Sequence, residues 1–181
     1  MMSVLKWLSA TLAIALLAST AAAADTVLAG KIKSINADNK TFVFTDAADK
    51  DHTAKFAVDV VINRGGKEGK SDLKVGDSVS VCHDAGLVKW TAHYILVHEG
   101  TTKGCTLWHG TFKSYNADKK ELAFTDSNKK DGMYSIGDAS VRVNMKSSSA
   151  ADLTIGERAL IVSSTADGKH TLSNVMVQRT K

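Results

Sequence analysis

Gly30-Lys31-Ile32-Lys33-Ser34-Ile35-Asn36-Ala37-Asp38-Asn39-Lys40-Thr41-Phe42-Val43-Phe44-Thr45-Asp46 returns at an offset of 80 as Gly110-Thr111-Phe112-Lys113-Ser114-Tyr115-Asn116-Ala117-Asp118-Lys119-Lys120-Glu121-Leu122-Ala123-Phe124-Thr125-Asp126. Taken from Leu28 and Trp108, the two stretches agree at 10 of 19 positions, where average residue usage gives about one by chance. The same offset pairs Asp72-Leu73-Lys74-Val75-Gly76-Asp77 with Asp152-Leu153-Thr154-Ile155-Gly156-Glu157, and Ile95 and Val97 with Val175 and Val177. One slip interrupts it: Val60 to Asn63 match Val141 to Asn144 best at an offset of 81, which predicts an extra residue near Gly137 and a local bulge. Self-similarity at a fixed period marks a tandem duplication, with a first repeat over 26–99, a connector and a second repeat over 107–180.

Inside each repeat the apolar residues alternate with period two, the mark of half-buried strands. Phe42 and Phe44 alternate with Thr41, Val43 and Thr45; Phe56, Val58, Val60 and Ile62 alternate with Ala57, Asp59, Val61 and Asn63; Val79 and Val81 alternate with Ser78, Ser80 and Cys82. Asn36 to Lys40 and Asn116 to Lys120 read as hairpin turns, since Asn and Asp bond to nearby backbone and tolerate positive φ. About five strands in roughly 70 residues leave little room for open sheet edges, so each repeat is expected to close on itself. The fold class is therefore all-β: two tandem five-stranded barrels of the oligonucleotide/oligosaccharide-binding (OB-like) type.

Composition narrows the class of function. Of 181 residues, 23 are Lys or Arg and 19 Asp or Glu, with both signs dispersed, so no basic block commits the chain to nucleic acid. Met1 to Lys6, the apolar run Trp7 to Ala18 and Ala22-Ala23-Ala24 before Asp25 have the pattern of a secretory signal peptide over 1–24, cleaved after Ala24. The apolar run is shorter than the roughly 20 residues that span a bilayer. The mature chain is expected to be periplasmic or secreted and not membrane-spanning.

The framework Gly30-x-Ile32, Asp72-Leu73-x-Val75-Gly76-Asp77-x-Val79-x-Val81 and Ala92-x-x-Ile95-x-Val97 resembles small exported bacterial β-barrel domains of unknown function. The second repeat keeps it as Gly110-x-Phe112, Asp152-Leu153-x-Ile155-Gly156-Glu157-x-Ala159-x-Ile161 and Leu172-x-x-Val175-x-Val177, departing at Glu157 and Leu172. The resemblance implies fold and export through residues of turns and core. It implies no activity.

Chemistry-bearing residues concentrate between positions 82 and 109, which hold both cysteines and four of the six histidines. Two cysteines in an exported chain usually pair, so a Cys82–Cys105 disulfide is expected, with a thiolate metal site or free thiols as alternatives. It would close about 22 residues and contribute about 3 kcal/mol by chain entropy. His83, His98 and His109 flank the repeat junction and are the candidate ligands for copper or zinc, although no C-x-x-C or H-x-x-x-H spacing supports them. Trp90, Tyr94 and Trp108 lie near the same junction, and Trp90 and Tyr94 are expected on one strand face, as ligand-stacking aromatics or as packing between barrels. No nucleophile elbow, zincin helix or phosphate loop is present, and no catalytic residue is assigned. The sequence reads as a non-catalytic exported protein with a binding or structural role in the cell envelope, its partner an envelope protein, peptide or saccharide. It reads as needing no cofactor unless the alternative, a copper or zinc binder, applies.

Overall fold

The computed structural model describes residues 25–70, 72–84 and 90–179. The expected export segment, 1–24, lies outside them. Among the described residues no helix is long and apolar enough to cross a membrane.

The first sheet contains β1 (Asp25–Asn36), β2 (Thr41–Asp46), β3 (Asp51–Arg64), β4 (Lys67–Gly69), β5 (Ser78–Asp84) and β6 (Trp90–Val97). Its order is β2-β1-β5-β6-β3-β4, and pairing of β2 with β3 closes a ring of five strands with β4 appended. The second sheet contains β7 (Thr106–Asn116), β8 (Glu121–Asp126), β9 (Asp131–Ser135), β10 (Ser140–Val143), β11 (Lys146–Ser147), β12 (Arg158–Ala166) and β13 (Lys169–Val177). There the ring closes where β9 meets β13 at Ser135 and Thr171. The described residues are thus nearly all-β, with only two short 3-10 turns at Gly100–Thr102 and Ala150–Asp152, and with the five-stranded closure expected from the alternation.

The identical residues of the two copies do identical work in turns and close contacts. Asn36 Oδ1 accepts from the Asn39 N–H at 2.9 Å, and Asn116 Oδ1 from the Lys119 N–H at 3.0 Å. The positive φ of this turn falls on Lys40 and Lys120, both at 51°, and not on the Asn or Asp residues. Asp46 Oδ1 accepts the N–H groups of Ala48 and Lys50 at 2.8 and 3.0 Å, and Asp126 Oδ1 those of Asn128 and Lys130 at 2.8 and 2.9 Å. Lys33 and Lys113 sit where the first hairpin of each copy skips a residue between Ile32 and Ser34 and between Phe112 and Ser114, a bulge that bends the strand around the barrel.

The Asp72 to Asp77 segment is a clamped turn. Asp77 pairs with the Arg64 guanidinium, and its carboxylate accepts the Lys74 N–H at 2.7 Å. In the second copy Glu157 accepts the Thr154 N–H at 2.7 Å and pairs with Arg179, a residue from beyond the end of β13. Arg64 and Arg179 also reach the main-chain oxygens of Asp72 and Asp152, so two arginines from different parts of the chain do the same task. Val75 and Ile155 of this motif are not core residues: they are exposed at 65% and 72%.

The slip between repeats runs opposite to the sequence match. Val61 pairs with Tyr94 and Ser140 with Asn174; Tyr94 and Asn174 are 80 apart, while Val61 and Ser140 are 79 apart. The extra residue therefore lies in the first copy, where β3 skips from Phe56 to Val61 against β6. Ile62 and Val141 are the matching core residues, and the likeness of Val60 to Asn63 with Val141 to Asn144 at 81 is coincidental. The bulge pushes Val58 and Asp59 outward.

Each ring encloses its own core, one around Phe42, Phe44, Ile62, Val81 and Ile95, the other around Phe112, Leu122, Phe124, Ile161 and Val175. A third cluster joins them, with Val61, Cys82, Tyr94 and Leu96 from one ring against Cys105, Leu107, Val162 and Met176. It makes β5 buried on both faces rather than one: Val79 and Val81 point into the barrel, and Ser80 and Cys82 toward the joint. Polar contacts cross the same joint. Asn63 donates to Asn174 Oδ1 at 3.1 Å and Arg142 Nε meets Glu68 at 3.1 Å across it, and within the first barrel Asn63 also donates to Tyr94 Oη at 2.9 Å and Tyr94 to Glu68 at 2.7 Å.

Candidate functional site

A second repeated bulge decides where the sequence-chosen residues go. In β6 the pairing skips from His83–Ala92 to Cys82–Tyr94, leaving His93 unpaired, and β13 does the same at Ser173. The skip reverses the facing of everything beyond it. Trp90 and Ala92 therefore lie with the first barrel's core, while Tyr94 and Leu96 face the joint. The expectation that Trp90 and Tyr94 share a face is corrected by this one residue.

Trp90 is packed between two imidazoles, its ring stacked on His83 at 4.0 Å and 7° and on His52 at 4.5 Å and 17°. His52 is fixed from the other side by Asp46 at 2.7 Å. His83 holds the Asp84 carbonyl through Nδ1 at 3.1 Å, and burial lowers its pKa. These contacts make Trp90 a packing residue. Trp90→Ala is expected to lower stability by about 2 kcal/mol, less than the 3–5 kcal/mol of a fully buried Trp because it is only half-buried; urea denaturation measures this. Because the folded chain holds His83 below its ordinary pKa of 6.5, the unfolded chain binds the proton more readily, and stability falls as pH drops from about 7 through 6.5 toward 5. His83→Gln is expected to flatten that part of the stability profile, read by thermal melts across the range.

Tyr94 is 1% exposed and bound within the joint, and half-buried Trp108 donates from Nε1 to Ser163 at 3.1 Å while packing on the second core. Neither is a free stacking platform. Cys82 and Cys105 are free thiols, so the expected disulfide is not formed. Both belong to the joint cluster, where burial drives the Cys82 thiol well above its ordinary pKa and Cys105 is tied to the Thr101 carbonyl at 3.5 Å. Burial thus disfavours the thiolate, the form that attacks as a nucleophile.

The three histidines chosen as ligands do not converge: His83 is under Trp90, His98 Nε2 meets Ser80 Oγ at 2.9 Å, and His109 lies on β7 in the joint. Among the described residues no three His, Cys, Asp or Glu side chains form a metal-holding group.

His109 differs from the other two. It is 8% exposed, and neither ring nitrogen makes a well-aligned hydrogen bond, although the Asp25 main chain and carboxylate both approach the ring. Its Nε2 stands 3.3 Å from Asp25 Oδ2. It lines a cleft of about 500 Å³ between the barrels, with Asp25 and Asp59 from the first and Arg158, Met145 and Met176 from the second. Burial lowers the His109 pKa, Asp25 pulls it upward, and Arg158 adds to the lowering. Asp59 reaches the cleft because of the first copy's extra residue, and it accepts from Gln178 across the joint at 3.3 Å. Trp90, Tyr94 and Trp108 do not line this cleft. Sequence reasoning found His109 but missed Asp25, Asp59 and Arg158, because nothing in period or spacing says which outward residues of one barrel face the other.

No family model matches the chain, and no curated protein matches it. Solved structures similar to part of it include a silver(I)-bound CusF, at 16% identity and a TM-score of 0.33, over 41% of this chain and 97% of that one. A Cu(II)-bound tryptophan-to-alanine variant of CusF from Escherichia coli matches at 15% identity and a TM-score of 0.34, over 41% and 92%. A silver(I)-bound Escherichia coli CusF matches at 16% identity and a TM-score of 0.35, over 44% of this chain and 98% of that one.

Proposed function

We infer that the chain is an exported, non-catalytic binding protein of the periplasm that takes up a first-row transition-metal ion, copper or zinc, in the cleft between its barrels. One observation carries the reading: a buried imidazole without a well-aligned hydrogen bond faces a carboxylate of the other barrel at 3.3 Å. A separation near 3.3 Å is also that of two ligands about 2.0–2.2 Å from one tetrahedral ion. A neutral imidazole and a carboxylate suit copper or zinc, and the thioethers of Met145 and Met176 line the same cleft.

His109→Ala is expected to weaken copper or zinc binding at least about 100-fold, since even residues that only support a metal ligand are worth 10–100-fold. His98→Ala, which removes a histidine outside the cleft, leaves affinity unchanged. Competition against a calibrated chelator measures both. Equal affinity in His109→Ala and the native chain refutes the reading.

A further inference from the structure

His109 and Asp25 supply two donors, and a metal ion held by protein needs at least a third. Three observations bear on where it comes from. Asp25 opens β1 beside the cleft, with its side chain 30% exposed. The His109 side chain is 8% exposed, lines the cleft, and faces the Asp25 carboxylate at 3.3 Å, with the Asp25 carbonyl also near the ring. And Asp25 is the residue that comes directly after the Ala22-Ala23-Ala24 cleavage pattern.

We propose that removal of the export segment builds the metal site: the new α-amine of Asp25, its β-carboxylate and His109 together form a two-nitrogen, one-oxygen set for copper(II). The inference rests on the metal reading of the cleft. Hydrolysis of the Ala24–Asp25 bond puts the water's hydroxyl on the Ala24 carbonyl and its proton on the Asp25 nitrogen. Before hydrolysis that nitrogen is an amide, whose lone pair is delocalised into the carbonyl and which is a poor donor. Afterwards it is an amine with a free lone pair, a good donor to a metal ion.

The amine and carboxylate of an N-terminal Asp are bonded to adjacent carbons, so closing both on one ion makes a six-membered chelate ring. His109 then approaches as the third donor from the other barrel. Nitrogen-rich sites favour Cu(II) among the divalent first-row ions. The precursor lacks the amine, so metal capture is confined to the processed protein outside the inner membrane.

The test uses the mature chain secreted from a bacterial host, with its first residue established by intact mass, and the same chain acetylated at the Asp25 amine. Each is titrated with copper(II) against a competing chelator, and the bound form is examined by electron paramagnetic resonance. One ion per chain is expected, with hyperfine coupling to two nitrogens. Acetylation and His109→Ala should each weaken binding at least about 100-fold. Unchanged affinity on acetylation, with loss in His109→Ala, overturns the amine donor and leaves the cleft reading standing. No binding by the mature chain, or unchanged binding in His109→Ala, overturns both. A secreted chain that begins at a residue other than Asp25 also overturns the amine donor.

Discussion

Gly110→Ala lowers the stability of the chain by about 3 kcal/mol or more, and Gly30→Ala by somewhat less. A Cβ at position 110 would lie 2.0 Å from the Thr125 carbonyl oxygen and 2.8 Å from Asp126 Cα, and one at position 30 would lie 2.5 Å from the Thr45 carbonyl oxygen. The obstruction is main chain of the neighbouring strand, which cannot swing aside as a flexible side chain would. Relief requires β7 and β8 to separate, and overpacking of that kind costs about 1–3 kcal/mol, occasionally more. Position 110 stands at the upper end because its contact is the shorter. Gly168→Ala is the control. It meets nothing within 4 Å but has a φ of +72°, so it costs only local backbone strain, about 1 kcal/mol. Urea denaturation of the three variants ranks them, and a Gly110→Ala chain as stable as Gly168→Ala would contradict the argument.

Glu68→Ala loses about 3 kcal/mol and loosens the two barrels from each other. The Glu68 side chain is 2% exposed, and it joins the Tyr94 hydroxyl in the first barrel to Arg142 on β10 of the second. Removing one partner of a buried ion pair costs about 3–5 kcal/mol, because the other keeps its charge without compensation. Arg142 is 29% exposed and can turn partly to solvent, which places the loss at the lower end. The Tyr94 hydroxyl has no such escape, being buried with Asn63 as its remaining partner. Because each ring has its own apolar core, a weakened joint lets the barrels unfold separately. Calorimetry is expected to show one transition in the native chain and two in Glu68→Ala. A Glu68→Ala chain that melts in one transition with native stability would mean that the third apolar cluster alone holds the joint.

Much of the fold was legible because the sequence states each local rule twice. Gly30 and Gly110, Asn36 and Asn116, and Asp46 and Asp126 are identical because each serves a close approach or a turn hydrogen bond that only its type supplies. Alternation gave the strands inside each barrel, since period two comes directly from the pleat. It failed where a bulge inserts one residue. His93 in β6 and the stretch between Phe56 and Val61 in β3 each reverse the facing of the residues beyond them in the strand, and a sequence carries no marker for that.

The candidate site was legible only in part. His109 stood out as one of the histidines crowding the junction, but its neighbours come from β1, β3 and β12, and only the docking of one barrel on the other selects them. The aromatics lie outside that cleft, and Trp90, Tyr94 and Trp108 each find a packing or hydrogen-bonding partner once the chain folds. The cysteines were misread for a related reason. Their presence in the joint's apolar cluster accounts for them as small buried side chains without a covalent bond.

The most direct measurement on the binding cleft is a zinc(II) titration of the isotopically labelled mature chain, monitored by backbone and imidazole resonances in solution. Zinc is diamagnetic, so shifted signals locate the ion without broadening its surroundings. The account predicts one saturating set of shifts, centred on Asp25, His109 and Arg158, with the imidazole nitrogens of His109 moving most and those of His52 and His83 unmoved. Shifts centred on the Trp90 stack, or none anywhere at saturating zinc, would contradict it.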